Sequence, residues 1–392
     1  MSAASQVPYA SAMDFTQNAG EIRQERATKF ERVRAWLEGQ KLDAVLLRRN
    51  ENLAWVTAGA MDRRVLLPSD TGVAALLVCR DGRRFFLAAN NEAERLRDED
   101  LRGLEFEPLI APWSAPTKAR DIKRLVGSDR VAADLPGMLR RAADLAALRA
   151  PLTETEVARY AWLGSHTAAV VADVLVHLRP GVTEREMGAR VAYALMQRGI
   201  EPSVLLMAVD DRIRKYKHAL THTGRLEHLA MINLCARRWG LAVSITRFAY
   251  FGKMPQDLRD RFRAAGEVYA ALLDATCPGA TAAQLYQSAQ QAYRAAGFPG
   301  EEAQHHQGGA TGYREREWLA TPGGSETVVE PQAFAWNPSI QDTTVNQGGK
   351  VEDTVLLHAG RLQTLTPTPS LPTMSVSAGG ATYTVAGVLV RE

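Results

Sequence analysis

Residues 180–187 read PGVTEREM and residues 278–285 read PGATAAQL. Each segment carries the same instructions. Pro-Gly stops a preceding helix, Thr183 or Thr281 is placed to cap the next one, and Glu186 or Gln284 follows three residues later to complete a capping box. Gly199 and Gly297 each lie 18 residues beyond the first glycine of their copy and are placed to end that helix in a left-handed cap. The copies are 98 residues apart (279 minus 181). Two copies of so long a unit predict a pseudo-twofold domain of two α+β halves, since a solenoid needs three or more repeats. A strand-rich stretch follows each copy, at residues 231–251 and 334–357. The cleft between the two resulting sheets is the expected site.

Working outward, residues 26–39 place Phe30, Val33, Trp36 and Leu37 on one helical face, and Gly39 precedes the strand-like Ala44-Val45-Leu46-Leu47. Strands are predicted at 73–78 and 85–88 around the turn at 80–83, with a helix over 92–101. Thr153 and Glu156 have capping-box spacing before a long apolar-periodic helix. The reading is α/β followed by α+β: an N-terminal extension over 1–25, a small α/β domain over 26–150, and the pseudo-twofold domain over 151–392.

Composition narrows the function classes. The 392 residues are 46% hydrophobic and 23% charged, with a formal charge of +3. Lys and Arg are interleaved with Asp and Glu, so neither a nucleic acid nor a membrane surface is an expected partner. Cys79, Cys235 and Cys277 are odd in number and widely spaced, which fits a reducing compartment better than a disulfide framework. The N-terminus lacks a basic start followed by an apolar core, and no apolar run approaches a membrane span. A cytoplasmic location is expected.

The paired Pro-Gly helices, Ser244-Ile245-Thr246-Arg247, Gly308-Gly309-Ala310-Thr311-Gly312 and the late run from Gly349 through Lys350, Val351, Glu352, Asp353 and Thr354 to Val355 resemble the creatinase, prolidase and aminopeptidase P superfamily. This resemblance implies a pita-bread C-terminal domain, and residues 26–137 resemble the small N-terminal domain of creatinase-type members.

Metallopeptidases of this superfamily hold two divalent ions with two aspartates, one histidine and two glutamates. Carried over, the resemblance puts Asn233 and Ser244 at the aspartates, Gly309 at the histidine and Asn337 at the first glutamate. Only Glu352 keeps its carboxylate. A shift of register by three would bring His306 near the vacant histidine position. One carboxylate with two amides and a hydroxyl does not repay the dehydration of hard divalent ions. No metal and no other cofactor is expected.

Creatinase exemplifies hydrolysis without metal, with a histidine as acid/base and arginines on the substrate carboxylate. On that resemblance His218 is the candidate proton carrier, because an imidazole titrates near working pH. His222 is a weaker candidate of the same kind. Glu352 is expected to support the imidazole or bind a cationic substrate group. Arg314 and Arg316, read as one side of a strand, are candidates for a substrate carboxylate. Asn233, Ser244, Asn337 and His306 are expected to line the same cleft. Arg63 and Arg64 are expected to reach it from the partner subunit of a homodimer.

The leading functional reading is a metal-independent hydrolase of an amide, amidine or cyclic amide C–N bond in a small carboxylate-bearing substrate. A pseudoenzyme that binds a small molecule or peptide is the alternative. A third reading, an Xaa-Pro metallopeptidase, lacks its ligands.

Overall fold

A computed structural model describes residues 18–62, 64–342 and 347–392. Residues 1–17 of the expected extension and Arg63 lie outside them. The first helix, Ala19–Gly39, begins inside the span assigned to that extension, with Asn18 capping the Gly20 amide. It buries Phe30, Val33 and Leu37 against the small domain's six-stranded mixed sheet. In that sheet Ala44–Arg49 pairs antiparallel with Thr71–Cys79 and parallel with Val131–Ala133. The 92–101 segment is helical as expected, but after Ala93–Arg95 it widens into a π-turn over Leu96–Asp100.

The repeat is visible as matched hydrogen bonding. Thr183 and Thr281 both accept from the amide three residues on, at 3.2 Å in each copy, and Glu186 and Gln284 return the bond. Gly181 N donates to Leu226 O, and Gly279 N donates to Val328 O. Bridges Thr183–Arg225 and Thr281–Thr327 repeat the pattern again. Such caps contribute on the order of 1 kcal/mol each. Gly199 and Gly297 adopt φ of +63° and +87°, the left-handed ends the spacing called for.

Each half contributes a four-stranded sheet. The first runs Val388–Arg391, Leu241–Phe251, Leu229–Arg238, Glu201–Val209. The second runs Gly308–Thr311, Gln332–Trp336, Asp353–His358, Arg361–Thr364. They meet where Thr246 N donates to Glu352 O at 3.2 Å and Ser244 N donates to Thr354 Oγ1 at 2.7 Å. Thus the two strands bearing the key positions touch along the pseudo-twofold seam. Gly308 and Gly309 permit close packing within the second half. A Cβ at Gly308 would fall 2.0 Å from Ala335 O, and one at Gly309 would fall 2.0 Å from Trp318 O.

A buried ionic cluster joins the first helix to the C-terminal half of the chain. Lys29 Nζ lies 2.5 Å from Glu25, 2.7 Å from Glu156 and 3.0 Å from the Tyr313 hydroxyl, and Arg159 pairs with Glu25. All four charged side chains are fully buried. Removing one member of such a cluster leaves an uncompensated charge, at about 3–5 kcal/mol.

Candidate functional site

Glu352 sits at the seam and is 2% exposed. Its Oε2 accepts from Asn233 Nδ2 and Thr246 Oγ1, both at 2.5 Å, and lies 2.9 Å from Lys350 Nζ. Its Oε1 faces Arg316 Nη2 at 3.3 Å. Burial alone disfavours the charged carboxylate, but Lys350, Arg316 and the Thr246 hydroxyl outweigh it and hold Glu352 down at about 2. Lys350 ends the strand Gln347–Lys350 and Glu352 forms an isolated bridge to Thr246, with only Val351 between them. A lysine two positions before the expected Glu352 is the signal in the sequence that Lys350 belongs to the site.

Arg316 reaches Glu352 from a bend, and this corrects the expected strand. Residues 312–318 form no strand, and Arg314 and Arg316 do not share a side. The bend is anchored at both ends. Tyr313 is buried with its hydroxyl 2.5 Å from Glu156, while Glu317 is clamped by Arg149 at 2.5 and 3.0 Å. Between the anchors, Arg316 turns inward and donates to Ser244 Oγ at 3.0 Å. Arg314 is exposed and lines a different cavity, of about 620 Å³, with Arg49, Glu51 and Arg140. The structure therefore separates the two arginines.

His218 lies on an exposed turn of a well-anchored loop. Buried Glu184 accepts from Val209 N, Arg212 Nε and His222 N at 3.1, 2.9 and 2.7 Å, and so fixes the loop's base. Lys217 ties the loop to the second half through Glu301 at 2.9 Å. These restraints bring His218 Nε2 to 3.0 Å from His305 Nε2, with His306 beside them. His305 Nδ1 lies 2.6 Å from His306 O. Because a carbonyl only accepts, His305 Nδ1 is the protonated nitrogen and its Nε2 is the bare one in the neutral ring.

All three imidazoles are biased towards neutrality. Burial, then the His306 and Lys350 charges, push His305 down to about 3. Burial, then Arg316 and Lys350, push His306 to about 4. His218 is lowered by burial and by Lys350, against a weaker pull from Glu352. Among the described residues, His306 Nδ1, Arg316 Nε and Asn337 Oδ1 are buried without a hydrogen-bond partner.

The expected residues thus fall into two groups. Asn233, Ser244, Arg316 and Glu352 are directly linked, and His306 lies near enough to Arg316 and Glu352 to feel their charge. Asn337 is buried, its amide bonded to Gln307 O at 3.0 Å. His222 is exposed, and its ring bonds Thr223 instead of the cluster. Arg64 donates to Leu67 O and Ser69 O within its own loop, and it acts electrostatically on Asp62 and Glu201 of the same chain. Both oxygens of Glu352 already face resident cations, which oppose its expected role on a cationic substrate group.

The donor set does not fit a pair of divalent metals at the superfamily position. Of the described residues linked there, Glu352 is the carboxylate, and Lys350 and Arg316 already neutralise it, while the neighbouring Asp353 is paired with Arg247. Two added ions there would face two fixed positive charges across neutral amides and hydroxyls.

Comparison with known proteins agrees with this architecture. Residues 163–359 match metallopeptidase family M24. An Xaa-Pro dipeptidase of Lactobacillus delbrueckii subsp. lactis is 24% identical over 201 residues, covering 50% of this chain and 54% of the relative. The chain spans about half the length of the curated relatives it matches. Among solved structures, dipeptidase PepE from Mycobacterium ulcerans aligns with a TM-score of 0.75 at 19% identity, over 90% of this chain and 98% of that one. The prolidase from Pyrococcus horikoshii OT3 aligns at 0.72 and 19%, over 87% and 98%. These similarities establish the fold as a small N-terminal domain followed by a pita-bread domain. With the paired caps, the two sheets meeting at Glu352 and the match over half its length, the chain belongs to metallopeptidase family M24.

Proposed function

We propose that this chain hydrolyses a C–N bond of a small carboxylate-bearing substrate without the paired metals, using His218 as acid and base. The observation that carries the reading is the filling of the ligand nest: Lys350 and Arg316 neutralise Glu352 where the superfamily's donor set would face cations. The relatives named Xaa-Pro dipeptidase supply the bond class, an amide. Water adds to the carbonyl or amidine carbon as His218 takes its proton. The carbon–nitrogen bond then breaks and His218 returns the proton to the leaving nitrogen. Hydrogen bonding to His305 orients the ring. Lys350 and Arg316 face the negative charge that develops on the former carbonyl oxygen, and they favour a substrate carboxylate.

The chain acts, on this reading, as a cytoplasmic homodimer. Val65, Leu66 and Leu67, 57–65% exposed on the small domain, offer it an apolar contact surface. Among the described residues no helix is long and apolar enough to cross a membrane.

A second reading, ligand binding without turnover, is favoured by the pairing of both Glu352 oxygens with resident groups. A panel of N-acyl amino acids, amidino acids and cyclic amide acids, assayed with and without chelator, separates the readings. Turnover that persists with chelator supports the proposal. Turnover that stops on chelation and returns with added divalent metal overturns it, whereas binding without product favours the second reading.

A further inference from the structure

We propose that His218, His305 and His306 form a site for one borderline transition-metal ion such as Zn²⁺ or Co²⁺, at a position distinct from the superfamily's carboxylate nest. One ligand atom from each histidine lies within 4.8 Å of the others. Tetrahedral coordination with metal–nitrogen bonds of about 2.0–2.1 Å needs nitrogens roughly 3.3–3.4 Å apart. The His218–His305 pair at 3.0 Å is already close to this spacing.

His305 is built as a ligand. Its Nδ1–H bond to the His306 carbonyl fixes the ring and leaves Nε2 bare, the arrangement that commonly orients a metal-binding imidazole. His218 supplies the proton between the two rings. When an ion enters, that proton moves to His218 Nδ1, so both rings stay neutral and each offers a lone pair from Nε2. His306 offers a third ligand nitrogen within that span, and its Nδ1 is buried with no hydrogen-bond partner among the described residues. His218 is exposed, which gives the ion a path in and leaves a coordination position for water.

The surroundings tune rather than forbid binding. Lys350 and Arg316 oppose a cation and Glu352 attracts one, so the flanking groups carry one net positive charge. Against that, the three histidines already offer ligand atoms within 4.8 Å of one another. Three imidazoles without a carboxylate select a nitrogen-loving ion over Mg²⁺ or Ca²⁺.

If His218 is the acid/base, as proposed above, an ion here ties up its lone pair and inhibits turnover. That consequence rests on the catalytic reading; the binding site does not. Titration of the full-length chain with Co²⁺, followed by visible d–d absorption, tests the site without any substrate. One saturating equivalent is expected, displaceable by Zn²⁺ and unaffected by Mg²⁺. His305→Ala and His306→Ala should each weaken binding at least about tenfold, while His177→Ala, at the far end of a helix, should not. His305→Gln, with circular dichroism on every variant, guards against loss of fold. Absence of a saturable band at millimolar Co²⁺, or equal affinity in folded His305 and His306 variants, overturns the site. Inhibition failing while Co²⁺ binding persists would instead refute His218 as the acid/base.

Discussion

Lys350 Nζ stands 2.9 Å from Glu352 Oε2, two residues along the chain, at the seam between the pseudo-twofold halves. The pair is nearly closed to water, with side chains 12% and 3% exposed. A resident ammonium therefore compensates the Glu352 carboxylate, and Arg316 adds a second positive charge on its other oxygen.

Lys350→Met should destabilise the fold by about 2–4 kcal/mol, since it leaves a buried carboxylate with only Arg316 as counter-charge. Urea denaturation at pH 7 measures this. Adding Glu352→Gln in the same chain should recover much of the loss. An equal loss in single and double variants would deny the pairing its role.

Acid stability should reflect two kinds of group. Glu352 is depressed to about 2 from 4.5, so its contribution is present above pH 4.5 and disappears as pH falls towards 2. His305 and His306 resist protonation in the folded state, at about 3 and 4 against 6.5 when unfolded. The unfolded chain therefore binds more protons below pH 6.5, and stability falls with pH from there down. His305→Gln should flatten the slope between pH 6.5 and about 3, whereas Glu352→Gln should flatten it only between 4.5 and about 2. Melting temperatures across this range distinguish the two.

On a substrate that the chain turns over, His218→Ala should lower kcat at least about a hundredfold with the fold intact, the usual scale of acid/base catalysis. Arg316→Lys should raise KM, because a point charge replaces a planar fork. Arg314→Lys, facing a separate cavity, should change neither constant by more than about twofold. Steady-state kinetics on the three variants provides the comparison, and an intact kcat in His218→Ala rules out its assigned role.

Gly308→Ala should destabilise by at least about 2 kcal/mol. Its φ of +104° is strained for any side chain, and the new Cβ would press on Ala335 O. The same change at Gly323, with nothing within 4 Å of an added Cβ, should have little effect. Chemical denaturation of both variants checks the contrast.

Local chemistry in the sequence determined the frame. Pro-Gly breaks, Thr caps and left-handed glycines act within a few residues, so the two copies at 181 and 279 could be read directly and imply two matched halves. The lack of charge at Asn233, Ser244 and Asn337 was equally legible, because those side chains are neutral wherever the fold puts them. What surrounds them depended on tertiary contacts. His218 meets His305 across 87 residues, and Arg316 reaches Glu352 only because Tyr313 and Glu317 are pinned by charges from Glu156 and Arg149. An alternating Arg-Glu run has the period of a strand, yet those two buried anchors bend it and send Arg314 and Arg316 apart. Periodicity reports which residues share a face only when the backbone is regular. Here a long-range hydrogen bond and a long-range ion pair overrode the regular backbone, and that choice belongs to the folded structure.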